Sequence, residues 1–430
     1  MKNILISLFF ILGITALTAQ TPVPAKSQDR PILIKGGTAH IGDGTIVENS
    51  LIAFAEGKIT LVAAAGSSPE PPNHDIIDAS GKHVYPGFIL TNSQIGLTEV
   101  SSIRAMSDFQ ERGQINPNIR SVIAYNTDSE MVPAMRFNGI LIAESVPLGG
   151  LISGTSSVME MDGWNWEDAC HTMDIGIHLR WPSRTTRDFD SATFTINEKP
   201  NKDYNKLYES LNKHFKDVLA YSKAESREVN LKMEAMQKLF SGDQILFIHA
   251  GGAKEIIESV RFAQHHGVKK IIIIAGTDAS YVADFLAEQD IPVILPPTHS
   301  LPTRPDQDID LPYRLPQILS EKGVQVSLSH TGAQGNARNL PFYAGTAVAY
   351  GMDREEALKT ITLHPAKVLG VDHRLGSLTV GKDATLFISK GDALDIRGNV
   401  LQHAFIQGKK INLFGKQQEL FERYSAKYGH

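Results

Sequence analysis

The chain has very little cysteine, no excess of basic residues and no apolar run of membrane-spanning length. Cys170 is the single cysteine of 430 residues, which excludes an intramolecular disulfide and a zinc cluster built on cysteines. The 42 basic and 47 acidic residues leave a formal charge of −5, so no overall positive field points to nucleic acid. Histidine, in contrast, is frequent, with 15 residues. Whether some of them form a metal site is therefore the first question.

Residues 1–19 have the order typical of a secretory signal peptide. Lys2 precedes an apolar run at 4–17, and small residues lie near Ala19. The run is shorter than the roughly 20 residues that span a bilayer, which favours cleavage, and a short uncleaved anchor is the alternative. We predict an exported protein, periplasmic or extracellular, without stable membrane insertion after cleavage. In such a compartment the unpaired Cys170 is most simply a small buried hydrophobe.

The remaining chain falls into segments with different patterns. A polar linker at 20–30 leads to short β-type runs over 31–86, and similar runs return over 369–415. Between them, over 87–368, apolar strand runs alternate with helical patterns of period 3.6. A helical tail is predicted for 416–430.

Two kinds of α/β architecture fit the middle segment. Fully apolar strands alternating with helices predict a parallel sheet covered by helices, either an open doubly wound sheet or a closed barrel. No glycine-rich phosphate fingerprint opens any of the helices, which counts against a nucleotide-binding sheet. We further predict that the two β-rich ends meet in one small β domain, with the middle segment inserted between them.

Several short motifs resemble those of the amidohydrolase superfamily, especially its imidazolonepropionase-like, exported members. They are residues 86–89 (PGFI), 339–342 (NLPF), 347–351 (AVAYG), 364–370 (HPAKVLG) and 381–384 (GKDA). The resemblance runs from about residue 32 to 410. It implies a (β/α)8 TIM-like barrel, inserted into a small split β-sandwich domain formed by the N- and C-terminal segments. It also implies an active site at the carboxyl ends of the barrel strands.

The resemblance implies a set of metal ligands that this sequence mostly lacks. In the family a His-x-His pair follows strand 1, two more histidines end strands 5 and 6, and an aspartate ends strand 8. Here Asn92 and Gln94 replace the pair, and Thr331 stands where the aspartate is expected. Strand 6 ends without a histidine, so His249 after strand 5 is the retained ligand. One imidazole is too few, because a catalytic zinc needs about three protein ligands.

A rearranged ligand set is the alternative to a lost one. His249, His299 and His330 lie at the predicted ends of strands 5, 7 and 8, and Asp278 lies near the end of strand 6. Such a set suits zinc if the side chains converge; otherwise they are rim residues making ordinary hydrogen bonds. Arg338, before the helix after strand 8, is a candidate partner for a ligand carboxylate or for a surface ion pair.

Two functions remain open from the sequence, and no catalytic residue is assigned. The first is hydrolysis of non-peptide C–N bonds in small amides or cyclic amides, with zinc or another divalent metal as the cofactor that the resemblance implies. The second is a metal-free, catalytically inactive relative that binds a small molecule or acts as partner subunit of an active paralogue. A homodimer is a further expectation. The glycine-rich stretch 149–157 either wraps its amides around a ligand or forms a tight connection.

Overall fold

The computed structural model describes residues 23–100, 102–191, 194–224, 226, 228–302, 304, 306–332 and 334–429. The predicted signal peptide lies outside these residues. Within the described ranges, no helix has the length and hydrophobicity needed to cross a membrane.

The strands and helices alternate in the way that the middle of the sequence predicts. The strands are β1 (Ile32–Lys35), β2 (Thr38–His40), β3 (Ile46–Val47), β4 (Ser50–Ala55), β5 (Lys58–Ala64), β6 (Asp75–Asp78), β7 (His83–Pro86), β8 (Phe88–Ser93), β9 (Ile140–Ser145), β10 (Ile152–Glu160), β11 (Cys170–Arg180), β12 (Thr185–Asp190), β13 (Thr195–Pro200), β14 (Ile245–His249), β15 (Ile271–Ile274), β16 (Val293–Leu295), β17 (Val326–Leu328), β18 (Leu386–Ser389), β19 (Leu401–Ile406) and β20 (Lys409–Lys410). The α-helices are α1 (Met131–Arg136), α2 (Trp166–Ala169), α3 (Tyr204–Lys223), α4 (Leu231–Ala235), α5 (Gln237–Ser241), α6 (Ala253–His265), α7 (Ala283–Glu288), α8 (Leu311–Glu321), α9 (Leu340–Ala349), α10 (Arg354–Lys359), α11 (Leu363–Val368) and α12 (Lys416–Tyr428). Short 3₁₀ helices lie at Arg104–Met106, Ser121–Ala124, Thr277–Val282 and Gln334–Asn339.

Eight strands form one sheet that closes almost completely into a barrel. Their order is β8-β9-β10-β11-β14-β15-β16-β17. A parallel bridge between Thr91 of β8 and Ser329, directly after β17, joins the two outer strands. The mixed α/β fold with an eight-stranded, barrel-like sheet therefore agrees with the architecture expected from the sequence.

One barrel strand runs against the other seven, which corrects the expected uniform (β/α)8 pattern. β10 is antiparallel to both β9 and β11, while the other neighbouring pairs in the sheet are parallel. Residues 146–151 alone connect β9 to β10. Such a short link cannot make the crossover of a dozen or more residues that a parallel neighbour needs, so the chain turns back.

The barrel interior is apolar at the amino-terminal ends of the strands and polar at the carboxyl ends. At the apolar end, α11 and the turn after it pack against buried aliphatic side chains of the strands. This cluster includes Ile89, Ile142, Val158, Ile175, Ile245, Ile272, Ile294, Val368, Leu369 and Val371. The polar side chains described below therefore lie above a dry layer, at the mouth where barrels of this kind bind ligands.

The two β-rich ends of the chain meet in one sheet of six strands, ordered β20-β19-β18-β7-β2-β3. Within it, β18 pairs antiparallel with β7. A second sheet, β5-β4-β1-β6, contains strands from the first part of the chain. Apolar side chains of both sheets share one buried cluster, which includes Ile34, Phe54, Val84, Leu386 and Phe405.

Candidate active site at the barrel mouth

Three polar side chains from three barrel strands form a buried chain of hydrogen bonds. His178 of β11 places Nε2 3.2 Å from Oε1 of Glu144 in β9. Its other nitrogen, Nδ1, lies 3.0 Å from Nε2 of His249 at the end of β14. Glu144 and His178 are fully buried, whereas His249 is partly buried. The hydrogen-bond chain therefore leads from the interior of the barrel to its mouth, and we refer to these three residues as the relay.

Two further donors hold the Glu144 carboxylate in place. The backbone N–H of Asn92 donates to Oε2 at 2.8 Å, and the Ser156 hydroxyl donates to Oε1 at 2.8 Å. The φ angle of Asn92 is 51°, a left-handed conformation that asparagine tolerates better than most residues. Because both carboxylate oxygens accept hydrogen bonds, the buried Glu144 is compensated for its lost hydration.

Strand register sets the position of His178. His178 and Phe247 are Cα partners in the parallel pair β11–β14, and their rings stack with centroids 4.7 Å apart and an interplanar angle of 11°. Gly176 makes room for this stack, because a Cβ at that position would lie 2.4 Å from the Phe247 ring. The imidazole is thereby held between an aromatic face and the Glu144 carboxylate.

The hydrogen-bond order assigns a protonation pattern to the relay. Glu144 can only accept, so His178 donates through Nε2 and accepts at Nδ1 from the Nε2–H of His249. Nδ1 of His249 is then a lone pair, and it has no hydrogen-bond partner among the residues that the structure describes. Burial lowers the pKa of His249 well below its usual range, and the neighbouring His178 and Arg180 side chains lower it further. His249 is therefore neutral near pH 7 and able to accept a proton.

The relay does not have the geometry of a metal site. Its two outer members contact opposite nitrogens of the His178 ring, so Glu144 and His249 cannot reach one ion together. Zinc requires several ligands at about 2.0–2.2 Å from a common point. No group of three or more His, Cys, Asp or Glu side chains in the described chain is arranged to hold a metal ion. The residues present do not fit the divalent metal that the resemblance implies.

The positions at which the resemblance implies metal ligands have different surroundings in the structure. Gln94 donates its backbone N–H to Oε1 of Gln334 at 3.2 Å, and Gln334 Nε2 donates to Oε1 of Gln94 at 3.1 Å. This amide pair joins the end of β8 to the 3₁₀ helix after β17. The side-chain oxygen of Asn92 is buried without a partner in the described chain, and Thr331 is exposed.

His299 and His330 both contact α9 rather than the relay. His299 Nε2 lies 2.7 Å from the hydroxyl of Thr346, and its ring packs edge-on against Tyr343 at 4.9 Å between centroids. His330 Nδ1 lies 2.9 Å from the Tyr343 hydroxyl. These two histidines are thus near each other, but they belong to the packing of α9 on the barrel.

Asp278 and Arg338 occupy two further separate places. Asp278 accepts from Arg304 Nη1 at 3.1 Å and from Gln307 Nε2 at 3.3 Å. The carbonyl of Arg338 accepts from Asn138 at 2.7 Å, and Asn138 precedes β9, at the end of the barrel opposite the mouth. The four proposed ligands of a rearranged site therefore do not converge. His299 and His330 share Tyr343 as a neighbour, whereas His249 and Asp278 have other partners.

The glycine-rich stretch is a tight connection rather than an open cradle. The backbone N–H groups of Leu151 and Ile152 both donate to the carbonyl of Gln114, at 2.7 and 2.9 Å. A Cβ at Gly150, whose φ is 66°, would lie 2.7 Å from the carbonyl of Gly113. Residues 109–114 approach so closely that only a glycine fits at position 150. The N–H groups of Leu151 and Ile152 are already engaged with Gln114, so they are not open to a ligand.

Sequence reasoning missed Glu144, His178 and Arg180, the Cα partner of His249 in the β11–β14 pair. All three lie in the part of the chain where the family motifs are weakest. The signal that would have found them is strand register, which a single sequence does not contain.

Cys170 is partly buried, and burial raises its pKa to about 11. The thiol thus stays protonated at neutral pH and is a poor nucleophile.

Comparison with known proteins gives matches of two kinds. Residues 227–412 match the model of the amidohydrolase family. An imidazolonepropionase of Flavobacterium psychrophilum is 25% identical over 174 residues, which are 38% of this chain and 39% of the relative. An imidazolonepropionase of Shewanella frigidimarina is 26% identical over 164 residues, 37% of this chain and 35% of the relative. The chain thus matches little more than a third of the length of either relative.

A solved structure resembles the whole fold. The crystal structure of an amidohydrolase from Thermotoga maritima superposes with a TM-score of 0.76 and 24% sequence identity, covering 90% of this chain and 100% of that one. The similarity at this level of identity concerns the fold. It extends through the barrel and the flanking sheets, and therefore beyond the segment that the family model matches.

Proposed function

We propose that the chain is an amidohydrolase, because residues 227–412 match the model of that family, and that it hydrolyses non-peptide C–N bonds in small amides or cyclic amides. The observation that carries this proposal is the relay, which ends on a neutral His249 at the barrel mouth. Acid–base groups whose pKa values are shifted by burial are typical of active sites in clefts.

In the proposed reaction His249 acts as the general base. Its Nδ1 lone pair takes a proton from a water molecule as the water oxygen attacks the amide carbonyl. The imidazolium that forms is stabilised through His178 by the Glu144 carboxylate, since each member donates to the next. The same proton then passes to the departing nitrogen, and the C–N bond breaks. General base catalysis of this kind contributes typically about 10²–10⁴-fold to a rate.

The metal is the point at which this proposal departs from the family. The substitutions Asn92, Gln94 and Thr331 leave a degenerate ligand set, and the geometry of the relay suits proton transfer better than coordination. We therefore propose that the hydrolysis does not depend on zinc or another divalent metal, in contrast to what the resemblance implies. A chelator is expected to leave the rate unchanged.

Substitution of His249 tests the proposed role. His249→Asn should lower kcat by roughly 10²-fold or more on any amide that the wild type hydrolyses, because the general base is lost. His265→Ala is the matched control, since His265 is exposed on α6, and it should keep the wild-type rate. The assay follows product formation from a panel of small linear and cyclic amides, with and without EDTA. Equal rates for His249→Asn and wild type would remove His249 from the mechanism.

A second candidate function is favoured by the absence of converging metal ligands in the described chain. The protein would then be a catalytically inactive relative that binds a small molecule, alone, as a homodimer or with an active paralogue. Binding of an amide without turnover, in wild type and His249→Asn alike, distinguishes this function from hydrolysis.

We also propose export of the chain and a split β-sandwich domain. Export is supported by the charged, apolar and small-residue order of residues 1–19, and the amino-terminal sequence of the mature protein tests it. The split domain is supported by the pairing of β18 with β7 and by the buried cluster that both flanking sheets share.

A further inference from the structure

Arg180 lies at the mouth directly beside His249. The two are Cα partners in the parallel pair β11–β14, and partners in such a pair point to the same face of the sheet. Two residues earlier, His178 and Phe247 face the barrel interior as a stacked pair. Because side chains alternate along a strand, Arg180 and His249 face the lumen one layer higher.

The backbone of Arg180 is held firmly although its side chain is not. The Arg180 N–H donates to the carbonyl of Leu151 at 2.7 Å, and the next N–H, of Trp181, donates to the carbonyl of His249 at 3.0 Å. Trp181 is buried and packs edge-on against Phe262 at 5.2 Å between centroids. Backbone hydrogen bonds therefore fix the Cα of Arg180 beside that of His249.

The charge of Arg180 is uncompensated within the described part of the chain. The side chain is exposed and makes no ion pair or hydrogen bond with any residue that the structure describes. Other arginines of the barrel differ, since Arg184 pairs with Glu258 and Arg304 pairs with Asp278 at 3.1 Å. An unpaired guanidinium on the rim of a partly apolar barrel is suited to a carboxylate, which it can bind through two parallel hydrogen bonds.

We propose that the substrate is a small amide carrying a carboxylate, which Arg180 binds while the amide carbonyl lies over His249. The inference rests on the proposed function, because it names the substrate class of the same site. Arg180 then fixes the orientation of the substrate, and the relay supplies the proton transfer. The sequence also offered Arg338 as a carboxylate partner. Its carbonyl accepts from Asn138 at the opposite end of the barrel, so Arg338 has no part in this recognition.

Paired probes that differ by the carboxylate test the proposal. 5-Oxoproline and 2-pyrrolidinone are cyclic amides with and without the acid, and N-acetylglycine and N-methylacetamide are their linear counterparts. Titration calorimetry with the mature wild-type protein should give a Kd for each acid that is at least about tenfold lower than for its neutral partner, the size expected for one charge-assisted contact. Arg180→Gln should remove this preference, and Arg180→Lys should keep part of it.

Arg30→Gln is the matched control, because Arg30 is 64% exposed and pairs with Asp75 of β6 in a flanking sheet. It should bind all four probes as the wild type does, and circular dichroism of each variant verifies the fold. Equal affinity of the wild type for acids and neutral amides, no binding of either acid, or a preference that survives in Arg180→Gln would each overturn the proposal. Tight binding of the acids without hydrolysis would instead overturn the proposed function and leave the role of Arg180 intact.

Discussion

Asp383 is a buried carboxylate with three side-chain partners. It contacts Lys58 Nζ, Arg374 Nη2 at 2.8 Å and His171 Nε2 at 3.2 Å. Burial alone would raise its pKa, but the hydrogen bonds from His171, Lys58 and Arg374 outweigh burial and lower the pKa to about 2. This aspartate belongs to the GKDA motif, so a residue by which the family is recognised has a structural role here. It joins β11 of the barrel to the loop before β18.

Asp383→Asn should therefore destabilise the fold by about 1.5–3 kcal/mol at pH 7, because the hydrogen bonds from Lys58 and Arg374 lose their charged acceptor. In the wild type this contribution is present above pH 3.8 and is lost as the pH falls through about 2. Urea unfolding at pH 7 measures the difference. Asp188→Asn is the control, since Asp188 pairs with Lys199 in solvent and such pairs contribute at most about 1 kcal/mol. Equal losses in both variants would contradict the expectation.

At the scale of secondary-structure elements, Glu160 connects β10 to the end of β19. Its Oε1 accepts from Gln407 Nε2 at 2.6 Å, and the side chain is buried. Burial raises the pKa of Glu160 to about 7, and Lys409 and Arg374 offset only part of this effect. Because the folded pKa lies above the usual 4.5, stability falls as the pH rises from about 4.5 to about 7.

Glu160→Gln should stabilise the protein at pH 8 by on the order of 2 kcal/mol, because an uncharged amide still accepts from Gln407 without the cost of a buried charge. Near pH 4.5 the variant and the wild type should unfold at almost the same urea concentration. Glu288→Gln serves as control, since Glu288 is exposed on α7. A stability difference that does not change between pH 4.5 and pH 8 would show that Glu160 is not the titrating group.

The elements were more predictable than the site. The apolar run at 245–248 and the period-3.6 pattern at 254–266 predict a strand and a helix, and the structure has Ile245–His249 and Ala253–His265 there. Such elements are predictable because apolar periodicity is a local property. The reversal of β10 was not predictable in this way, since every residue from 152 to 160 is buried and the strand shows no alternation. The relay depends on which strands become neighbours, and histidine spacing along the chain does not contain that information.

On the scale of the whole molecule, the barrel and the flanking sheets share one core. Phe387 of β18 packs edge-on against Phe88 of β8, with centroids 4.9 Å apart, and both are fully buried. A Cβ at Gly139, just before β9, would lie 2.7 Å from the Phe387 ring. Because the barrel and the flanking sheets pack this closely, we expect them to unfold together.

Phe387→Ala should lower the free energy of unfolding by about 3–5 kcal/mol, and calorimetry should show one transition in the wild type and in the variant. Phe421→Ala is the control, because Phe421 on α12 is 73% exposed, and it should change stability by less than about 0.5 kcal/mol. Two separate transitions, or a variant in which only one of them shifts, would mean that the barrel and the sheets unfold independently.

The reversed strand has a consequence for how the chain can fold. β9, β10 and β11 follow one another through residues 146–151 and 161–169, so their pairing closes short loops and loses little chain entropy. The parallel pairs elsewhere in the barrel bring together segments farther apart in sequence, which slows their formation. Glu144, Ser156 and His178 all belong to this meander, whereas His249 follows only after the long connection from Arg180 to Ile245. The frame of the relay can thus form from local contacts before its terminal histidine joins it.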